Sequence, residues 1–297
     1  MHSMTRSTPL NDLKKISYEF HPAKIMRSFL NWAGGKTRLI RRLLPYVPPD
    51  HEQRAYWEPF LGSGAMYFAL LPKKAVLADL NPDLINCYRA IRKEPEKIAD
   101  LLDQFSDSHS PPFYISARSL YNKTNDKILK AALFVYLNKA SFNAIYRVNK
   151  RGEFNVPCAH KSILALPTIV QLTEISNVLK KAKLVKGTFE ETLKDATKGD
   201  FVYLDPPYPP INGTSFFTHY TKEKFGLDDQ GKVRMVANSL KKKGCLVMIS
   251  NTDLPFIRAL YQGWNIHSLP VTRWLTCKSV KQKVTDLIIT SYDLERI

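Results

Sequence analysis

The chain has 297 residues, 44% of them hydrophobic, enough for one large α/β domain with a smaller insertion. Lysine and arginine number 44 against 27 acids, a formal charge of +17, which calls for a polyanionic partner: nucleic acid first, an anionic membrane surface second. No apolar run reaches the roughly 20 residues of a membrane span, and Met1–Lys15 lacks the apolar core of a secretory signal. Cys87, Cys158, Cys245 and Cys277 show no CxxC spacing, which argues against a disulfide framework and a zinc site. Reduced thiols in the cytoplasm are expected.

Residues 1–25 are expected to be a mobile segment outside the fold. Residues 28–44 run from an apolar pair through Gly34-Gly35 into a helical pattern. Residues 55–60 read as a strand, Leu61-Gly62-Ser63-Gly64 as a tight turn, 65–71 as a helix, and 75–80 as a strand ending in Asp79. Strand, glycine turn, helix and strand ending in an acid open a dinucleotide-type βαβ unit. From about 82 to 166 helical patterns dominate, at 84–92, 95–105, 114–123 and 127–140, with basic loops over 146–161. The βα alternation then returns: helix 167–181, strand 183–186, short helix 190–196 and the buried strand Phe201–Leu204. A long loop over 209–226 precedes helix 228–242, strand 245–250, helix 255–262 and strands 265–271 and 284–292. The expected fold is α/β: an open, mostly parallel sheet formed by 26–82 and 167–297, with a mainly helical module inserted at 83–166.

Asp205-Pro206-Pro207-Tyr208 follows the apolar strand and carries the most chemistry. Proline fixes φ and lacks a backbone donor, so the corner's carbonyls are free to accept. A carboxylate, rigid carbonyls and an aromatic face can hold a planar amine-bearing group by its NH2, as methyl transfer to a base amine requires. A plain turn would use the same residue types, so the other motifs must decide. Glu58-Pro59-Phe60-Leu61-Gly62-Ser63-Gly64 lets backbone approach a ligand at a strand end, and Asp79 could accept from both ribose hydroxyls; together they suit a nucleoside-type cofactor. Gly35-Lys36-Thr37 invites a P-loop reading, but Leu30 stands where that pattern needs its first glycine. Trp32-Ala33-Gly34-Gly35-Lys36 suits instead the carboxylate end of an amino-acid-like cofactor. In Leu137–Pro157, amides and aromatics interleave with charge, including Lys139, Phe142, Asn143, Ile145, Arg147 and Asn149. A charge run alone is usually a solvated face; this mixture suits base and phosphate contacts. Arg273, Lys278, Lys281 and Lys283, before the last strand, suit phosphates. No His/Cys/Asp cluster calls for a metal.

Taken in order, these motifs resemble the Dam-type DNA adenine-N6 methyltransferases of the D12 class. The matches are Phe29–Lys36, Glu58–Gly64, Leu77-Ala78-Asp79, Arg147, Arg151-Gly152-Glu153-Phe154-Asn155-Val156-Pro157, Asp205–Tyr208 and Ser250-Asn251. The resemblance implies a Rossmann-like methyltransferase sheet with an inserted target-recognition domain. It implies S-adenosyl-L-methionine as cofactor, released as S-adenosyl-L-homocysteine, and double-stranded DNA as partner. Trp32, Lys36, Phe60 and Asp79 would line the cofactor, with Phe189 near its adenine, and Asp205–Tyr208 would hold the target adenine. Arg147 and Pro157 match base-reading positions, Phe142 an inserting aromatic, and Arg118, Lys139 and Asn149 backbone contacts. Asn212, Phe217 and Tyr220 match a segment that closes over a flipped base. Asn31 stands where a lysine often helps read the first guanine of GATC, Lys139 replaces an arginine, and Lys161 replaces an aromatic. The expectation is a monomer that methylates one strand at a time at GATC or a related short site, as in restriction-modification or replication marking. An RNA-adenine or protein-glutamine methyltransferase and a catalytically silent DNA-binding regulator are the rival readings.

Overall fold

The computed structural model describes residues 25–209, 225–274 and 281–295. Asn212, Phe217, Tyr220, Cys277, Lys278 and residues 1–24 of the expected N-terminal segment lie outside the described residues.

A strand that is apolar on both sides belongs to a sheet covered on both faces. The fully buried runs β1 (Tyr56–Glu58) and β4 (Phe201–Leu204) meet that rule, and both lie mid-sheet. β2 (Ala75–Asp79) and β3 (Ala182–Lys186) extend the sheet to one side, and β3 alternates buried with exposed, as an edge strand does. β5 (Leu246–Thr252), β6 (Asn265–Trp274) and β7 (Lys281–Thr290) complete it on the other. The order is β3-β2-β1-β4-β5-β7-β6. β1 to β5 are parallel, and β7 runs antiparallel to both its neighbours. The chain winds outward from β1 to β3, then returns to place β4 on the other side of β1. At such a reversal the carboxyl ends of the strands open a crevice.

Strand alternation divides the core. Phe201, Tyr203 and Met248 pack on one face; Val202, Leu204, Val247 and Ile249 pack on the other. The first face is covered by α1 (Ile40–Leu43), α2 (Ala65–Leu70), α3 (Pro82–Lys93), α4 (Pro95–Asp107), α5 (Pro111–Lys123), α6 (Lys127–Ala140) and α7 (Ile169–Leu179). The second is covered by α8 (Phe189–Leu193), α9 (Leu227–Lys243) and α10 (Pro255–Leu260). Asn81 caps α3 by accepting from Asp83 and Leu84 amides, Asp126 does the same for α6, and Thr168 with Gln171 boxes α7. α6 is apolar nearly all round because α3, α4 and α5 pack about it. α3 also packs on β2 and β3, so the helical region and the sheet share one continuous core.

The helix expected after Gly34-Gly35, up to residue 44, is shorter in the structure. Gly35 N–H donates to the Trp32 carbonyl in a tight turn, and helix proper is confined to α1 before a 3-10 turn at Leu44–Tyr46. Residues 36–39 between Gly35 and α1 form a turn, with the Leu39 N–H donating to the Lys36 carbonyl at 2.7 Å, and Pro45 falls in the 3-10 turn that follows. Cys87, Cys158 and Cys245 are free thiols. Among the described residues no helix is long and apolar enough to cross a membrane, and no three His, Cys, Asp or Glu side chains gather to hold a metal.

Candidate active site

Four neighbouring strands end on one edge. β2 brings Asp79, β1 brings Glu58, β4 leads directly into Asp205, and β5 brings Ser250 and Asn251. At about 4.8 Å per strand these groups span roughly 15 Å, the scale of a nucleoside with a short tail.

Asp205 is held from both sides. Lys36 Nζ donates to its Oδ2 at 2.6 Å and to the Gly34 carbonyl at 2.7 Å. The Ser250 hydroxyl is 2.6 Å from Asp205 Oδ1 and 3.0 Å from the Tyr203 hydroxyl. A carboxylate only accepts, so the serine proton goes to Asp205 and Tyr203 donates to the serine oxygen. The two hydroxyl dipoles therefore point at the carboxylate. Lys36 also lies 4.7 Å from the centre of the Tyr208 ring, which fixes the aromatic wall of the corner against the same cation. Sequence reasoning gave Lys36 to the anionic end of a cofactor; here the ammonium already serves Asp205. An ammonium has three donors, so a ligand carboxylate would share it.

Glu58, also expected to line the cofactor, is only 2% exposed, and its Oε2 accepts from the Tyr56 hydroxyl at 2.9 Å. Burial pushes its carboxyl up to about 8, against opposing hydrogen bonds from Tyr56 and the Tyr67 backbone; Asp205 raises it further and Lys36 lowers it. An ordinary glutamate in the unfolded chain ionises near 4.3. The native state therefore keeps a proton that the unfolded state releases, and this contribution to stability is lost as pH rises from about 4.3 through about 8. Replacing Glu58 by Gln keeps the acceptor and removes the titration. Urea melts from pH 5 to 9 are expected to show wild-type stability falling more steeply with pH than that of Glu58→Gln; parallel curves would contradict the assignment.

Asp79 accepts from Asn81 N–H at 2.9 Å and from Gly62 N–H at 3.0 Å, one bond per carboxylate oxygen. Burial raises its carboxyl, with the backbone amides of Asn81, Gly62 and Leu80 opposing. It stays half-exposed, and each oxygen has a further lone pair for a ribose hydroxyl. Beside it Phe60 stacks on Phe189 at 5.3 Å and meets Phe225 edge-on at 6.1 Å, an apolar wall for an adenine ring. Gly62 has φ +47°, and a Cβ there would come within 2.8 Å of Trp32 Cδ1. A Cβ on Gly35 would lie 2.9 Å from the Trp32 carbonyl. Both glycines thus seat Trp32, whose indole stacks on Tyr146 at 5.6 Å and packs on Phe134 at 6.1 Å. Pro59, Ser63 and Gly64 are buried, while Ala33, Gly34 and Gly35 remain accessible. A half-open carboxylate, accessible glycines and an aromatic wall fit a nucleoside-bearing cofactor.

The predicted DNA-reading residues divide into outward and inward groups. Bridges Ser141–Cys158 and Val148–Phe154 close residues 141–158 into a loop. Phe142, Asn143, Arg147 and Pro157 are exposed along it, Phe142 at 52%. Arg147 Nε donates to Asn155 Oδ1 at 2.9 Å and its NH2 to the Asn155 carbonyl at 3.3 Å, which fixes the guanidinium's direction. Asn149 Oδ1 accepts from Arg151 and Glu153 amides and so builds the turn. Ile145 is half-buried, and Arg118 donates to the Val156 carbonyl at 3.0 Å. Lys161 donates to the Lys139 carbonyl at 2.8 Å, and burial together with Lys161 lowers the Lys139 pKa. Asn31 is exposed, while its N–H and C=O are both bound by the Asn138 side chain, at 2.9 and 2.7 Å. Arg273 and Lys281 fall on the far ends of β6 and β7. Sequence reasoning missed Phe225, Gln230 and the inward role of Asn138. Only Asn138 had a signal, an amide in a mostly apolar helix.

This fold and this strand-edge site define a Rossmann-like methyltransferase. The chain belongs to the D12 class N6 adenine-specific DNA methyltransferases: the family's model matches residues 32–274. It is 37% identical over 275 residues to the type II methyltransferase M1.LlaDCHI of Lactococcus lactis subsp. cremoris, covering 90% of this chain and 96% of that one. It is 36% identical over 287 residues to type II methyltransferase M.MjaIII of Methanocaldococcus jannaschii, covering 90% and 99%. It is 29% identical over 268 residues to the DNA adenine methylase of Escherichia coli K12, covering 90% and 95%.

Proposed function

We propose that the chain moves a methyl group from S-adenosyl-L-methionine to N6 of an adenine flipped out of duplex DNA, at GATC or a related short site, as a monomer working on one strand at a time. The observation that carries this is Asp205, fixed by Lys36 and Ser250 on the same edge as the Asp79–Gly62 nucleoside cradle. The adenine amine is a weak nucleophile because its lone pair is delocalised into the ring. Asp205 and the Pro206 carbonyl accept its two N–H bonds, favour a tetrahedral nitrogen and stabilise the positive charge that develops on it; as the new N–CH3 bond forms, one N–H proton leaves along the hydrogen bond to Asp205 and on to water. The bound cofactor supplies an electrophilic methyl on its sulfonium. Asp79, Phe60 and Phe189 hold the nucleoside end, and Lys36 ties the cofactor side to the amine clamp. A base inside a duplex cannot reach this corner, and extrusion costs a few kcal/mol. The Tyr208 face and the basic loop offset that cost.

Transfer of tritiated methyl to duplex DNA, compared with RNA and protein, tests the reading. Label found only in RNA or protein would overturn it, and N6-methyladenine mapping in DNA from expressing cells would give the site. Asn31, Lys139 and Lys161 depart from the Dam-type pattern, so the outer guanines are where a related site would differ from GATC.

Arg147 is the residue to separate reading from binding. A bidentate arginine–base pair discriminates by about 1–3 kcal/mol, whereas a single phosphate contact has no sequence content. Arg147→Ala is expected to flatten site preference about tenfold or more across a substrate panel while nonspecific affinity changes less. Unchanged preference would remove Arg147 from base reading.

A further inference from the structure

Gln230 sits in the first turn of α9 and is 1% exposed. Its Nε2 donates to the Pro207 carbonyl at 2.8 Å. Its Oε1 accepts from Asn251 Nδ2 at 3.0 Å, and Asn251 Oδ1 accepts from the Thr252 N–H at 2.9 Å. Side-chain amides are often ambiguous in orientation, but here both ends of the chain are fixed. The Pro207 carbonyl can only accept and the Thr252 N–H can only donate, so each amide has one permitted direction. Three bonds thus run head to tail from β5 through α9 to the catalytic corner, each polarising the next.

β5 makes this possible through its alternation. Ser250 faces one side of the sheet and donates to Asp205. Asn251, the next residue and 0% exposed, faces α9 on the other side. Neighbouring residues therefore serve the two arms of the amine clamp, one reaching the carboxylate and one reaching the backbone. Pro207's ring fixes its φ near −65°. Its carbonyl is the remaining handle on that residue, and Gln230 holds it. With both ends of Pro207 fixed, the peptide plane before it, which carries the Pro206 carbonyl, has one orientation.

We infer that Gln230, oriented by Asn251, is a positioning residue that aims the Pro206 carbonyl at the substrate amine. This rests on the proposed methylation of an adenine amine. Gln230 touches neither substrate nor cofactor, so its loss slows chemistry and leaves binding alone. A displacement of about 1 Å costs up to about 100-fold in rate.

Gln230→Met keeps the shape and removes both bonds. Asn251→Asp keeps the acceptor for Thr252 and turns Gln230 around, because the carboxylate attracts its NH2; the Gln230 oxygen then faces the Pro207 carbonyl. Single-turnover methyl transfer to unmethylated genomic duplex DNA is expected to fall about 10- to 100-fold in each variant. KM for S-adenosyl-L-methionine and Kd for DNA should stay within about threefold. The double variant should be no slower than Gln230→Met alone, since both act through one chain. A space-filling role predicts near wild-type rates for Gln230→Met and independent losses in the double variant, and either result overturns the inference. If Gln230→Met does not melt cooperatively, Asn251→Asp decides alone, and a rate within threefold of wild type overturns it. Wild-type protein is assayed alongside. Its failure to methylate adenine defeats the proposed function, whereas an active wild type with an equally active Gln230→Met defeats this inference only.

Discussion

Asp205→Ala is expected to lower single-turnover methyl transfer about 1,000-fold or more while DNA affinity stays within a few-fold. Removing one preorganised partner of a developing charge costs about 100- to 1,000-fold in comparable sites. Here two further effects add to that. The Lys36 ammonium, which is 6% exposed, loses its carboxylate, and the Ser250 hydroxyl loses the acceptor toward which it and Tyr203 are aligned. Leaving a buried charge unpaired destabilises by about 3–5 kcal/mol, so the alanine variant also needs a folding control. Asp205→Asn provides it: one oxygen remains to face Lys36 or Ser250, the shape is kept and the charge is gone. That variant should be folded, bind DNA and transfer methyl about 100-fold slower than wild type. Turnover within tenfold of wild type in both variants would remove Asp205 from the mechanism.

The Asp205 corner, the glycine turn and Asp79 were legible in the sequence because their meaning is local. A carboxylate or glycine turn at the end of an apolar strand can be located from neighbours alone, and a parallel sheet places strand ends together whatever their order. What those residues bond to was not legible. Lys36 and Asp205 are 169 positions apart, and Asn31 and Asn138 are 107 apart. No periodicity encodes such pairs, which follow from which strands become neighbours. Glu58 shows the limit most clearly. Its place in the motif suggested a ligand-facing acid, yet it is the last residue of β1, a strand whose three residues are all buried. The bonds within the chain were equally hidden for Arg118 on α5 and Asn149 in the 141–158 loop, expected as DNA-backbone contacts: each also holds the chain's own backbone. A basic, amide-rich stretch must spend some of its donors on its own turns before any reach a partner.

Asp79→Ala is the other change with a large expected effect, and it should act on the opposite kinetic quantity. Each hydrogen bond to a charged group contributes about 1.5–3 kcal/mol, and the carboxylate's open lone pairs suit two ribose hydroxyls. Its loss should raise KM for S-adenosyl-L-methionine about 100-fold or more by that arithmetic, with kcat at saturation reduced far less. The expected cost in stability is smaller, since Asp79 and Gly62 are partly exposed and water can take over the Gly62 amide, although Asn81 is buried. Asp79→Asn separates the contributions: its oxygen can keep one backbone donor while its NH2 meets the other N–H unfavourably. Calorimetric titration with S-adenosyl-L-homocysteine gives the affinity without turnover, and should weaken by the same factor as KM. If instead affinity for the homocysteine product were unchanged and kcat fell, Asp79 would belong to the chemistry and the nucleoside end would have to lie elsewhere along the strand edge. The opposed signatures of Asp79→Ala and Asp205→Ala, one in binding and one in rate, follow from their places on β2 and just past β4, on either side of β1.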